Sequence, residues 1–252
     1  MGKCDHDRSV QPNEPDLNKS ILNEVHRRRI TRLCHFTRIS SLRHIGETEG
    51  LLSTSALREM KQTFYPTDSE RYDRHPTHVC CSIQYPNLRY LKRLLESDAA
   101  ATPHWAILLL DPELLAQANT GFCPVNASER CGARVSAGLE AFQSMFAQRV
   151  HSYAGSGTKE FERSDRHLPS CPTTIQAEVL IPQRIPSNSI IGVVVSSPAA
   201  LPIAATMLDS DTSRGIPVQS DPRLFNCNQI ERRIYRGEEI TLATRKAGDP
   251  NG

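Results

Sequence analysis

The sequence lacks a hydrophobic run long enough to cross a membrane. Its longest apolar stretches, at 106–110 and 190–195, are far shorter than the roughly 20 residues that a transmembrane helix needs. The N-terminal segment also lacks the apolar region of a secretory signal. We therefore expect a soluble, cytoplasmic protein without a membrane partner.

The sequence also has little net charge. Its 30 lysines and arginines stand against 28 aspartates and glutamates, which leaves +2. This balance excludes a histone-like polycation, so any nucleic-acid contact must come from local clusters of charge. With 38% hydrophobic residues among 252, the chain can form a real core and is not disordered throughout.

The signatures of several large enzyme classes are missing. No G-x-G-x-x-G, G-x-x-x-x-G-K-[ST], G-x-S-x-G or H-E-x-x-H motif occurs, which argues against kinases, Rossmann dehydrogenases, serine hydrolases and zincins. The eight cysteines form no Cys-x-x-Cys pair, and a chain of this length does not need a disulfide framework. His75, His78 and Cys80 stand close together, but no second pair follows at zinc-finger spacing, so we predict no metal.

The pattern of apolar residues predicts one α+β domain with a central mixed or antiparallel sheet flanked by helices. We expect a flexible segment at 1–17, the domain at 18–243 and a frayed tail at 244–252. Helices are predicted at 18–29, 40–46, 53–62, 86–97, 134–150 and 198–208, with a short one after Asp111. Strands are predicted at 30–37, 78–84, 104–110, 176–181, 190–195 and 239–243. The stretch 152–174 has no period and predicts a long loop.

One predicted strand carries a carboxylate. In 176–181, alternation places Ala177, Val179 and Ile181 on one face, and Gln176 and Glu178 on the other. A glutamate in the middle of a buried strand is costly unless it is paired, solvated or functional. From the pattern alone, Glu178 is either a candidate catalytic residue or an edge-strand residue that faces water.

Basic residues cluster in the first half of the chain. The segment 25–46 holds six arginines and three histidines without an acidic residue, which suits the phosphates of a dinucleotide or of a nucleic acid. A solvated basic helix face is the alternative. Further on, Arg71 or Arg74 could clamp a phosphate, although Arg–Asp pairs at such spacing are most often surface salt bridges.

Three segments, in this order, resemble the DarT-type ADP-ribosyltransferases, toxins that use NAD to modify nucleobases in single-stranded DNA. They are LCHFTRISSLRHIGETEGLLS (33–53), ERYDRHPTHVCCSIQYPN (70–87) and QAEVLIPQRIP (176–186). The resemblance covers about residues 31–195. It implies an ADP-ribosyltransferase-like domain that takes NAD as its substrate.

The resemblance also implies roles for individual residues. Glu178 would be catalytic, and Arg71 would act with it by holding the diphosphate or neighbouring ribose of NAD, with Arg74 as the alternative. Gln176 would precede the glutamate as in the Gln-x-Glu signature of other branches. The NAD-binding residues would be His35, Phe36, Thr37, Ser41, Arg71 and Gln176. Of these, Ser41 replaces an asparagine of the family pattern. The acceptor contacts from the loop 152–174 would be Phe161, Arg163, Arg166 and His167.

The function implied is transfer of ADP-ribose to a base in single-stranded nucleic acid, with DNA favoured and RNA open. The protein would be the toxin of a toxin–antitoxin or phage-defence pair. Its antitoxin would be a macro-domain hydrolase or an inhibitory protein, with or without a chaperone. The alternatives are a protein ADP-ribosyltransferase, an NAD glycohydrolase, or an inactive nucleic-acid-binding module that uses the arginines of 26–43.

Overall fold

An eight-stranded sheet runs through the computed structural model, which describes residues 14–60, 71–97, 99–153, 157–208 and 215–244. The predicted flexible segment and frayed tail lie largely outside these residues. The helices are α1 (Glu14–Arg28), α2 (Leu42–Glu47), α3 (Thr54–Glu59), α4 (Leu88–Ser97), α5 (Leu139–Ser144), α6 (Leu201–Leu208) and α7 (Cys227–Arg236). The strands are β1 (Leu33–Arg38), β2 (Gly50–Leu52), β3 (His78–Ile83), β4 (Trp105–Leu110), β5 (Gly121–Cys123), β6 (Ser136–Ala137), β7 (Arg149–Ser152), β8 (Lys159–Glu162), β9 (Glu178–Pro182), β10 (Arg184–Pro186), β11 (Ile190–Val195) and β12 (Val218–Ser220).

The strand order is β12-β11-β4-β1-β3-β9-β5-β6. All neighbours are antiparallel except β11 and β12, so the sheet is mixed. Two smaller antiparallel pairs, β2 with β10 and β7 with β8, stand apart from it. Among the described residues no helix is both long and apolar enough to span a bilayer.

The sheet has apolar packing on both faces, as the alternation of its strands predicts. In β4, Ala106, Leu108 and Leu110 belong to the largest buried cluster, whereas Ile107 and Leu109 belong to a second cluster on the other face. The strand is buried at all six positions. Burial on both faces explains why its sequence, WAILLL, is apolar throughout rather than alternating.

The sheet divides between β1 and β3. Strand β1 pairs with β4 over its full length, but with β3 only at Leu33 and Cys34. Beyond Cys34 the two strands separate, and β3 continues beside β9, with Cys81 opposite Val179. This separation leaves a cleft in the middle of the sheet.

The prediction of a helix over residues 134–150 is wrong for most of this range. Only Leu139–Ser144 is helical. Gly138 precedes it as the N-cap, and its φ of 92° favours glycine and cannot continue a helix from upstream. The aromatic residues that suggested a helical stripe are buried because Phe142 packs on both Phe122 and Phe146. Val150 is buried on a β-strand instead, since β7 alternates buried and exposed residues.

Two further predictions fail, one for residues 152–174 and one for residues 239–243. The stretch 152–174 is not one long loop, because β8 pairs with β7 inside it. Residues 239–243 form no strand, although the Gln219 side chain bonds the backbone N–H and carbonyl of Ala243. Helix α7 was not predicted; Asn226 caps its start, and Gly237, with a φ of 72°, ends it.

Candidate active site

A cavity of about 330 Å³ opens at the division between β1 and β3. Its wall is formed by β1, α2, β2, the start of α3, residues 71–73, β3, α4 and the loop that follows β5. Six of the predicted site residues line it: His35, Phe36, Thr37, Ser41, Arg71 and Glu178. The cleft therefore brings together residues from three distant parts of the sequence.

Glu178, the first residue of β9, is buried in this cavity. Its Oε2 accepts the backbone N–H of Ala127 at 2.7 Å, and its Oε1 accepts the side-chain amides of Asn87 at 2.9 Å and Asn126 at 3.4 Å. Burial raises the pKa of this carboxyl to about 7, while the Ala127 and Asn87 donors oppose the rise. Glu178 is therefore not a glutamate on an edge strand that faces water, which is the alternative left open by the sequence pattern.

Residues 126–132, here called the Glu178 loop, supply two of these donors. Hydrogen bonds to residues at the end of β7 hold this loop in place. The anchor is Glu129, which is buried and accepts the Ser152 hydroxyl at 2.7 Å and the Tyr153 N–H at 2.8 Å. The loop ends at Gly132, with a φ of 84°, where a Cβ would collide with the carbonyl oxygen of Asp73. The loop is thus held by β7 on one side and by residues 71–73 on the other.

His35 bridges the two separated strands. Its Nδ1 lies 2.7 Å from the carbonyl oxygen of Cys80, and since a carbonyl only accepts, Nδ1 carries the proton. Burial lowers the pKa of His35, which keeps the imidazole neutral and leaves Nε2 as an acceptor. The adjacent Phe36 ring contacts Tyr90 at a centroid distance of 5.5 Å.

Arg71 lines the cavity, but the protein itself engages its side chain. The guanidinium makes a bidentate pair with the buried Asp73 (3.0 and 2.7 Å) and also donates to the Thr54 hydroxyl and to the carbonyls of His75 and His78. All five N–H donors are therefore taken. In this arrangement Arg71 shapes the wall, and a bound diphosphate would have to replace one of these acceptors. Arg74 is exposed and lies outside the lining.

Helix α4 and the residue that caps its start contribute three cavity residues that the sequence analysis did not predict. Asn87, Tyr90 and Arg93 recur every third residue and face the cavity together. Arg93 is exposed, lies over the Tyr90 ring at 4.9 Å, and has no acceptor among the described residues. At 100° per residue, only Arg93 falls opposite the leucine face that predicted the helix. Asn87 and Tyr90 lie within or beside that face, so the pattern gave no signal for them.

The other predicted residues lie away from the cavity. Gln176 is buried just before β9, outside the lining. Arg163 donates to the carbonyls of Cys171 and Leu168, at 2.8 and 2.9 Å. His167 is buried, with Nε2 3.0 Å from the Pro172 carbonyl. Burial lowers the pKa of His167 to about 4. Both side chains contact backbone carbonyls, and their predicted contacts with an acceptor base stay predictions.

Two predicted acceptor contacts are more accessible. Arg166 is exposed, and Phe161 is half-buried on β8 beneath the Lys159 ammonium, which lies 4.7 Å from its ring centroid. Neither residue lines the cavity. Their roles stay predictions.

Comparison with known proteins identifies the fold. A family model described as ssDNA thymidine ADP-ribosyltransferase, DarT, matches residues 34–226. No curated protein matches the chain. Among solved structures, Thermosipho africanus DarTG in complex with ADP-ribose is 16% identical, with a TM-score of 0.52 over 77% of this chain and 51% of that chain. Thermus sp. 2.9 DarT in complex with ADP-ribosylated ssDNA is 13% identical, with a TM-score of 0.50 over 78% of this chain and 96% of that one.

The chain thus spans about half the length of the DarTG chain that it matches. At these identities the structural likeness concerns the fold alone. It confirms the predicted α+β class with a mixed sheet flanked by helices.

Proposed function

The chain belongs to the DarT family of ssDNA thymidine ADP-ribosyltransferases, and we propose on this basis that it transfers ADP-ribose from NAD to a nucleobase in single-stranded DNA. The predicted family is confirmed by the match over residues 34–226. The observation that carries the proposal is the environment of Glu178, a buried carboxylate with three N–H donors at the floor of the cleft. Such an environment orients a carboxylate while holding its pKa near neutrality.

Glu178 suits both halves of a transfer reaction. Cleavage of the bond between nicotinamide and C1 of the ribose leaves positive charge on the ribose, which a fixed carboxylate stabilises. The attacking base nitrogen then forms the new bond to C1, and its proton passes to Glu178, which acts as the general base. Nicotinamide leaves with the electron pair of the broken bond. A pKa of about 7 allows Glu178 to take up this proton near neutral pH.

The cavity offers groups for each part of NAD. We assign the nicotinamide side to the β1 segment, where the Phe36 ring supplies a flat apolar surface and the neutral His35 and Thr37 supply polar atoms. Arg93 would bind the diphosphate, because its donors have no protein acceptor among the described residues. The Arg71–Asp73 pair would position the wall around the neighbouring ribose.

In the cell we propose that this activity makes the protein a toxin, because a bulky charged group on a base blocks pairing in any strand that is copied. An antitoxin, either a macro-domain hydrolase or an inhibitory protein, would then be required. A role in phage defence, a cytoplasmic location and RNA as an alternative acceptor stay predictions.

The test is intact-mass analysis after the protein is incubated with NAD and single-stranded DNA or RNA. We expect a gain of one ADP-ribose on DNA and a loss of at least about a hundredfold in rate for Glu178→Gln, which preserves the side-chain volume. Glu96→Ala, a substitution of an exposed glutamate on α4, is the matched control and should retain full activity. Nicotinamide release without a mass gain would instead indicate protein or water as the acceptor. Full activity in Glu178→Gln would refute the mechanism.

A further inference from the structure

An exposed aromatic residue stands beside the Glu178 loop and outside the cavity. Tyr153, which follows β7, has 40% of its surface exposed. The guanidinium carbon of Arg130 lies 4.2 Å from its ring centroid, and that of Arg134 lies 5.6 Å away. We call these three residues the Tyr153 platform. Its surface is flat and carries positive charge, since Arg130 has no carboxylate partner within the part of the chain that the structure describes.

The platform is held by groups other than the Tyr153 ring. The backbone N–H of Tyr153 and the Arg134 guanidinium both donate to Oε1 of the buried Glu129, at 2.8 and 3.2 Å. Arg130 and Cys131 adopt left-handed backbone conformations, with φ of 51° and 55°, which non-glycine residues rarely do in succession. Among the residues that the structure describes, neither the Tyr153 hydroxyl nor the Arg130 side chain makes a hydrogen bond, and the backbone holds both in place.

The platform lies next to the reaction centre. Asn126 and Ala127 donate to Glu178, and Ser128 lines the cavity. Arg130 follows two residues later, so its Cα lies within about 8 Å of that of Ser128. The platform therefore lies at the side of the cleft that the Glu178 loop forms.

We propose that the Tyr153 platform binds the acceptor strand, with one base stacked on the Tyr153 ring and an adjacent phosphate neutralised by Arg130. A ring with cationic groups beside it is the chemistry by which proteins hold single-stranded nucleic acid, because every base offers a π-face and every nucleotide a phosphate. The inference rests on the proposed function and adds to it the residues that hold the acceptor. Unlike the Tyr153 ring, the side chains of Arg163 and His167 are already engaged by backbone carbonyls.

The test compares four variants with the wild-type protein: Tyr153→Ala, Tyr153→Phe, Arg130→Ala and Arg149→Ala. The last is the matched control, an exposed arginine on β7 whose charge is offset by Glu160 and Glu162. The dissociation constant of a fluorescent single-stranded DNA oligonucleotide of mixed sequence is measured over a range of salt, together with the KM for the same DNA at saturating NAD. Melting temperatures establish that each variant is folded.

We expect Tyr153→Ala to raise the dissociation constant and the KM for DNA by roughly tenfold, and Tyr153→Phe to restore both, because the ring rather than the hydroxyl is needed. Arg130→Ala should reduce the slope of log K against log salt by about 0.7, the value of one phosphate contact on a single strand. Arg149→Ala should leave the slope unchanged. Wild-type values in both Tyr153→Ala and Arg130→Ala, with the wild-type protein active on DNA, would overturn the platform alone. A wild-type protein that releases nicotinamide but leaves DNA unmodified would overturn the proposed function and the platform with it.

Discussion

Removing the amide of Asn87 should shift the pH dependence of catalysis in the alkaline direction. This amide donates to Glu178 at 2.9 Å and is the nearer of the two side-chain donors. A hydrogen bond to a charged group contributes about 1.5–3 kcal/mol, and one pKa unit corresponds to about 1.36 kcal/mol. Because the remaining donors compensate in part, we expect the loss to raise the pKa of Glu178 by about one unit.

The direction of this pH shift follows from which protonation state of Glu178 is active. The ionised carboxylate is the active species, so the rate rises as the pH passes through the Glu178 pKa of about 7. Without the Asn87 amide the carboxylate is less stable, and a higher pH is needed to ionise it. The variant should therefore be about fivefold slower than the wild-type protein at pH 7, about tenfold slower at pH 6 and nearly equal at pH 9.

The choice of variant matters because Asn87 also caps helix α4. Its Oδ1 accepts the backbone N–H of Tyr90 at 3.1 Å, so alanine would cost about 1 kcal/mol of stability through the lost cap. Asn87→Ser keeps a capping oxygen and removes the amide. The assay is kcat for ADP-ribose transfer between pH 5.5 and 9, and a midpoint that does not move in Asn87→Ser would refute this reasoning. A uniform drop at every pH would equally refute it.

Two further predictions concern NAD binding and stability. Arg93→Ala should raise the KM for NAD by roughly tenfold, because it removes one charge-assisted hydrogen bond. Arg89→Ala, one turn earlier and outside the cavity lining, should leave this KM unchanged. Equal effects of the two substitutions would contradict the assignment of Arg93 to the diphosphate. The pKa of Glu178 is about 7 in the folded state, against an ordinary value of 4.5, so the folded protein binds more protons than the unfolded chain between these values. As the pH rises from 4.5 through 7, the free energy of unfolding of the wild-type protein should therefore fall by up to about 3 kcal/mol relative to that of Glu178→Gln. Urea unfolding at pH 5 and pH 8 measures this, and parallel stability curves for the two proteins would exclude it.

The hydrophobic pattern of the sequence predicted those strands and helices whose apolar periodicity matches the face that is buried. The alternation predicted for 176–181 is confirmed from Glu178 onward, where β9 begins. Val179 and Ile181 lie in the main core, and Leu180 packs in a separate cluster on the other face. The pattern failed for 134–150, because a run with apolar residues at helical spacing can also be buried by a short helix between two strands. It failed again at 239–243, where side-chain bonds from Gln219 take the place of a strand ladder.

For the candidate site, the sequence by itself determined which residues carry the resemblance to the family and which carboxylate to test, because those segments are contiguous in the chain. Only the tertiary structure decided what surrounds them. Asn87 and Asn126 meet Glu178 across 91 and 52 positions of sequence, and Arg71 is committed to Asp73 through contacts that spacing does not reveal. The physical reason is that strand separation between β1 and β3 creates the cleft, and a side chain's partners there depend on how the sheet divides rather than on its neighbours along the chain.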